Sequence, residues 1–152
     1  MKKSTLVAAT LLTTTLSIQA FAQTVEVQDA WARATVQGQM ATGAFMKLTA
    51  KEGSRLVAAS SPVAGVTEVH EMAMDNNIMK MRAVPGLDLP AGKAVELKPG
   101  GYHVMLMDLK APLKKDTTIP LTLVFKDARG VESRTELKVP VNTAAPMAEH
   151  KH

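Results

Sequence analysis

No cysteine occurs among the 152 residues. That removes a disulfide framework, thiolate zinc sites, iron–sulfur clusters and any cysteine nucleophile. Aromatic residues are scarce, at one Trp, one Tyr and three Phe, so there is no stacking platform for single-stranded nucleic acid. Lys and Arg exceed Asp and Glu by 18 to 14, but no stretch gathers them into a basic stripe. Beyond the first segment no apolar run is long enough to span a bilayer. There is no nucleophile motif and no Gly-rich phosphate loop, and Pro99-Gly100-Gly101 reads as a hairpin turn. The expectation is a soluble protein that is not an enzyme, binds no nucleic acid and does not insert stably into a membrane. One excess stands against these deficits: ten methionines.

The first segment is separate from the fold. Lys2 and Lys3 precede an apolar stretch from Leu6 to Ile18 that ends in Ala20-Phe21-Ala22. A basic start, a short apolar centre and a small-residue cleavage site describe a secretory signal peptide over residues 1–22. Four Thr and a Ser interrupt a stretch already short for a transmembrane span. Losing Lys2 and Lys3 lowers the formal net charge from +4 to +2, so much of the basicity belongs to export. The mature chain is expected in the periplasm.

Residues 23–141 are expected to form a single all-β domain. Val25 and Val27 alternate with polar neighbours, Trp31 reads as a core anchor, and Phe45 to Leu48 is strand-like. Further strands are expected near 55–60, 66–74, 78–84, 93–98, 102–107, 119–126 and 132–139. Asp75-Asn76-Asn77, Pro85-Gly86, Pro90-Ala91-Gly92 and Asp127-Ala128-Arg129-Gly130 supply turns between them. Such spacing belongs to antiparallel sandwiches and barrels. Residues 142–152 change to Ala, Pro, Met, Glu, His and Lys, a flexible tail.

Two of the four histidines sit among most of the methionines. One cluster is His70-Glu71-Met72-Ala73-Met74 followed by Met79-Lys80-Met81, and the other is His103-Val104-Met105-Leu106-Met107. Alternate residues of a strand share a face, so His70, Met72 and Met74 align, as do His103, Met105 and Met107. A tight hairpin centred on Asp75 and Asn76 sets Met72 opposite Met79 and His70 opposite Met81. Moving the turn by one residue sets Met72 opposite Met81 and keeps His70 on the same face. Imidazole with thioethers is a ligand set for copper, biased toward Cu(I). Calcium and magnesium want oxygen ligands that the cluster lacks. Glu71 points away from His70, which weakens a zinc reading, and a blue-copper site needs a cysteine. Methionine also serves as core filler, the role expected of Met46 and, as core or loop packing, of Met40.

At these residues the chain resembles the periplasmic PCuAC copper chaperones. His70-x10-Met81-x21-His103-x-Met105 matches their H-x10-M-x21-H-x-M signature, and Trp31-Ala32-Arg33-Ala34-Thr35, Thr42-Gly43-Ala44 and Leu97 to Met107 are similar in context. The likeness runs from about residue 25 to 140. It implies a cupredoxin-like Greek-key β-sandwich that binds one Cu(I) through His70, Met81, His103 and Met105. It also implies delivery toward the copper centre of cytochrome c oxidase, with an oxidase copper-centre subunit or a thioredoxin-like copper protein as partner. The chain itself is expected to be a monomer. Some members have Met directly after the first His, where this chain has Glu71, so Met72 is either a spare thioether or a bystander. Met147, His150 and His152 resemble a short form of a His/Met-rich extension, read either as an auxiliary Cu(II) site or as a polar tail. The alternative function is a secreted β-sandwich with a general copper-scavenging or structural role.

Overall fold

Residues 118–126 show how this sequence builds strands. Ile119, Leu121, Leu123 and Phe125 alternate with Thr118, Pro120, Thr122, Val124 and Lys126, and the first set is buried. A period of two puts that set on one face of a pleated strand. The same alternation recurs along the chain in a computed structural model that describes residues 25–146. Ten strands form: β1 (Val25–Arg33), β2 (Ala41–Ala50), β3 (Ser54–Ser60), β4 (Ala64–Asp75), β5 (Ile78–Ala83), β6 (Leu87–Leu89), β7 (Ala94–Leu97), β8 (His103–Leu109), β9 (Thr118–Lys126) and β10 (Glu132–Asn142). The described residues contain no helix, so none among them is long and apolar enough to cross a membrane.

The ladder of hydrogen-bonded strands runs β5-β4-β8-β2-β1-β10-β9-β3-β6, with β7 also paired to β2. All pairs are antiparallel except β1 with β10. One apolar cluster takes side chains from both ends of this path, including Leu48, Val69, Val104 and Leu106 from one half and Leu56, Leu121, Phe125 and Val139 from the other. The fold is therefore all-β with a single core, as the alternation predicts.

Two details differ from the sequence reading, and two others sharpen it. The β4–β5 hairpin turns on Asn76 and Asn77, both with positive φ (49° and 62°), the second of the two turn placements the sequence allows. Two consecutive left-handed residues suit the twist of a tight hairpin, and Asn tolerates that region. The Pro99-Gly100-Gly101 segment does not close a hairpin. β7 and β8 both lie antiparallel along β2, at Met46–Thr49 and Ala41–Ala44, so the segment links two collinear strands on one edge. A short strand, β6, forms at Leu87–Leu89, where a Pro85-Gly86 turn hid it. Trp31 is buried, but it packs on Phe45 (ring centroids 4.8 Å apart) outside the main core cluster. A register shift between Gln28 and Trp31, with Asp29 at φ 54°, puts it there. The expected signal peptide (1–22) and Met147, His150 and His152 lie outside the described residues.

Candidate metal centre

β4, β5 and β8 form one end of the sheet, and their residues alternate between two destinations. Val69, Val104 and Leu106 enter the core at 4%, 0% and 0% exposure. Their neighbours point to the opposite, outward face. Register places His70 directly against His103, Glu68 against Met105 and Val66 against Met107. Across the hairpin Met72 faces Met81 and Met74 faces Met79, while His70 faces Ala83. This is the second of the two registers the turn allows. The outward face therefore carries both histidines, Glu68 and six methionines.

The hairpin's other face explains how the strands stay paired beyond the core. Arg82 Nε donates to Glu71 Oε1 at 2.6 Å, and Lys80 Nζ donates to Asp75 Oδ2 at 2.7 Å. Glu71 and Arg82 are directly opposed in register, where opposite charges favour pairing by roughly 0.2–1 kcal/mol. A hydrogen bond to Glu71 also raises the Tyr102 hydroxyl pKa, with burial adding to it. Glu71 is thus engaged on the face away from His70, as its position predicts.

The histidines are buried despite facing outward, at 9% and 6% exposure, with ring centroids 5.9 Å apart. His103 Nδ1 lies 3.1 Å from the Gly101 carbonyl oxygen, and its Nε2 lies 3.1 Å from Met81 Sδ. A carbonyl only accepts, so Nδ1 carries the proton and Nε2 of the neutral ring is a bare lone pair aimed at a thioether. Burial pushes the His103 pKa below its ordinary value, the Gly101 hydrogen bond works against that shift, and His70 adds a further lowering. The ring is therefore neutral, and free to ligate, at neutral pH.

His70 is held from its other edge. Its Nε2 is 2.9 Å from Glu68 Oε2. Its buried Nδ1 has no hydrogen-bond partner among the described residues. Glu68, which the sequence analysis does not single out, is thus in contact with an expected ligand. The period of two puts this carboxylate, two positions before His70, on the histidine's face, and the adjacent Glu71 on the other.

An aromatic wall borders the site. Phe45 stands 6.3 Å from His103 between centroids, and Trp31 lies behind it. Gly43, paired with Met105, makes room: a Cβ there would meet the Phe45 ring at 2.8 Å. Arg33 lies 5.9 Å from the Trp31 centroid and 5.6 Å from that of Phe45. Ala145 and Pro146 line the same cleft as Trp31 and Phe45.

Of the expected ligands, His103 and Met81 are in direct contact and His70 adjoins His103. Met105 shares their face one pleat along β8, opposite Glu68. Met72 faces Met81 across the hairpin. Met46 is core at 2% exposure, whereas Met40 is exposed in the loop before β2. Two imidazole lone pairs with neutral sulfur donors suit a soft ion, Cu(I) above all, and not a hard one. No group of three or more His, Cys, Asp or Glu that could hold a metal ion occurs among the described residues; the donors flanking the two imidazoles on this face are the methionine sulfurs and Glu68.

Comparison with known proteins agrees with this architecture. The LpqE-like family model, described as "Putative lipoprotein LpqE-like", matches residues 25–141. The chain is 37% identical over 150 residues to "Putative lipoprotein Lxx21020" of Leifsonia xyli subsp. xyli, covering 91% of this chain and 88% of that protein. The solution structure of CuI-DR1885 from Deinococcus radiodurans is similar with 31% identity and a TM-score of 0.59, covering 84% of this chain and 85% of that one. The apo PCuAC domain from PmoF1 shares the fold, with a TM-score of 0.64 and 23% identity over 81% of this chain and 95% of that one.

Proposed function

The chain belongs to the LpqE-like family and has the fold of PCuAC domains; from that premise we propose that it is a copper carrier of the cell envelope, binding one Cu(I) through His70, Met81, His103 and Met105. The observation that carries the reading is the bare Nε2 of His103 facing Met81 Sδ at 3.1 Å, beside a second imidazole whose buried Nδ1 is unpartnered. Two electron-pair donors with no proton between them are an arrangement that a soft cation stabilises. The Cu(I) form of the Deinococcus radiodurans relative supports the choice of metal. Met72, opposite Met81, is a reserve thioether.

Exposure favours transfer over storage. Met81 is 48% exposed on an edge strand whose every residue is exposed, so an incoming donor can reach the ion without unfolding the core. A thiolate- or thioether-bearing acceptor, such as an oxidase copper-centre subunit or a thioredoxin-like copper protein, is the kind of partner this fits. The protein's part is to hold and hand over the ion, with no catalysed reaction. Export is supported by Lys2, Lys3 and Ala20-Phe21-Ala22 and by the envelope-type names of family members.

Anaerobic Cu(I) titration against a chromogenic chelator tests the reading. One equivalent should bind per chain, far more tightly than Zn(II), because neutral sulfur is a soft donor. Zinc outcompeting Cu(I), or Met81→Ala with unchanged Cu(I) affinity, would overturn it.

A further inference from the structure

We propose that Glu68 is a positioning residue that commits the two imidazoles to ligate through opposite ring nitrogens, His70 through Nδ1 and His103 through Nε2. This rests on the copper reading of the site and deepens it. An ionised carboxylate only accepts hydrogen bonds. The 2.9 Å contact from Glu68 Oε2 therefore places the His70 proton on Nε2 and leaves Nδ1 of the neutral ring as the bare lone pair. That Nδ1 is the one buried side-chain nitrogen or oxygen without a partner among the described residues. Leaving such an atom unpaired costs about 1–3 kcal/mol, a cost that ligation removes.

His103 is set the other way round. There the acceptor is a main-chain carbonyl, Gly101, and it sits on Nδ1. One ring is thus anchored by its outer nitrogen and offers the inner one, while its neighbour is anchored by the inner and offers the outer. The rings are directly paired in register, so this opposition makes the two donors inequivalent although the residues are the same. Glu68 occupies the place this needs. It lies on the His70 face one pleat earlier, opposite Met105, with a half-exposed side chain. Hydration relieves its charge, and the bond to His70 still fixes the ring. A carboxylate holding the distal nitrogen of a ligating histidine is a common way to orient the ring and raise its basicity.

Cu(I) is diamagnetic, so long-range proton–nitrogen NMR of the full protein reads the assignment directly. Without copper, His70 should show the Nε2–H tautomer and His103 the Nδ1–H tautomer. On adding one equivalent of Cu(I), the large nitrogen shifts should fall on His70 Nδ1 and His103 Nε2. A copper-induced shift on His70 Nε2 would overturn the proposal while leaving the copper reading intact. Absence of any stoichiometric Cu(I) binding would overturn both. Glu68→Ala should mix the His70 tautomers and weaken Cu(I) binding by roughly 10–100-fold. Glu68→Gln, whose amide oxygen still accepts from Nε2–H, should restore the tautomer and most of the affinity. A change of less than about threefold in Glu68→Ala, with the His70 tautomer unaltered, would show that Glu68 positions nothing. An unchanged thermal melt of each variant separates these effects from loss of the fold.

Discussion

The inward and outward faces of β4 and β8 are made from alternate residues of the same strands, yet they do different work. Inward lie Val69, Val104 and Leu106, close-packed and nearly solvent-free. Outward lie His70, His103 and Met105, with Met81 supplied by a hairpin that extends past the core. Because successive side chains point to opposite faces, the backbone that the core immobilises also fixes the donors. On the copper reading proposed above, stability and metal chemistry should be largely separable, as suits a carrier whose ligands exchange while its fold persists.

The sharpest way to break this comparison is to truncate one side chain on each face. Leu106→Ala should cost about 2–5 kcal/mol in denaturant unfolding, because it leaves a cavity in a packed interior. Cu(I) affinity of the folded protein should hardly move. Met81→Ala should give the converse result. Its stability loss should stay under about 1 kcal/mol, since a half-exposed side chain leaves no enclosed cavity. Its Cu(I) affinity should fall by at least about tenfold, beyond the lower end of what losing a mere orienting partner costs. Equal destabilisation by the two substitutions would show that the methionine face is structural.

A finer cut lies along β8 itself. Met105 and Met107 share the outward face, but Met107 is farther from His103 and pairs with Val66 and Ala41. Met105→Ala should weaken Cu(I) binding about as much as Met81→Ala, and Met107→Ala by no more than about twofold, a ligand against a neighbour of the same chemistry. Competition titration of the two variants side by side decides it.

This separability also explains what could be read from the sequence. The period of two was enough to say which residues share a face, and His70, Met72, His103 and Met105 do share one. Opposition across the hairpin depended on which two residues take left-handed backbone. Asp75, Asn76 and Asn77 all tolerate that region, so composition could not choose, and the structure selects Asn76 and Asn77. Trp31 is buried as expected, but against Phe45 and not in the main core cluster. Hydrophobicity predicts the burial, but the shift after Gln28 decides which side of the sheet the ring covers. That β7 and β8 are collinear along β2 is a non-local fact, invisible in a turn motif that serves hairpins equally well. The pairing of His70 with His103 is non-local too, and only the matched motif spacing hinted at it.

The two faces should also differ in their response to pH. Burial lowers the His103 pKa in the folded protein below the unfolded value of about 6.5. The unfolded chain then binds more protons, so stability rises with pH through this window. The contribution is fully present above the unfolded value and is lost as pH falls through the depressed folded one. Thermal melts of the copper-free protein should therefore drop on acidification below about 6.5, and His103→Gln should flatten that drop. The deficit of Leu106→Ala relative to wild type should be the same at every pH, because no ionisable group lies in its cavity.

The smallest effect expected is from the C-terminal residues. Ala145 and Pro146 line the cleft beside Trp31 and Phe45, and Phe45 adjoins His103. From there to His150 and His152 is an extended length of roughly 13–20 Å. That is enough to bring an imidazole to an ion at the outward face or to bind one separately with Met147. Imidazole suits Cu(II) better than thioether does. Deleting residues 147–152 should therefore weaken Cu(II) binding. The loss should grow above pH of about 6.5, where unprotonated imidazole is available to ligate. Cu(I) at His70, Met81, His103 and Met105 should be retained, since thioethers dominate there. Titrations of the intact and shortened proteins with each oxidation state measure both. Equal loss of Cu(I) and Cu(II) would make the C-terminal residues part of the main site, and no loss of either would remove them from copper chemistry.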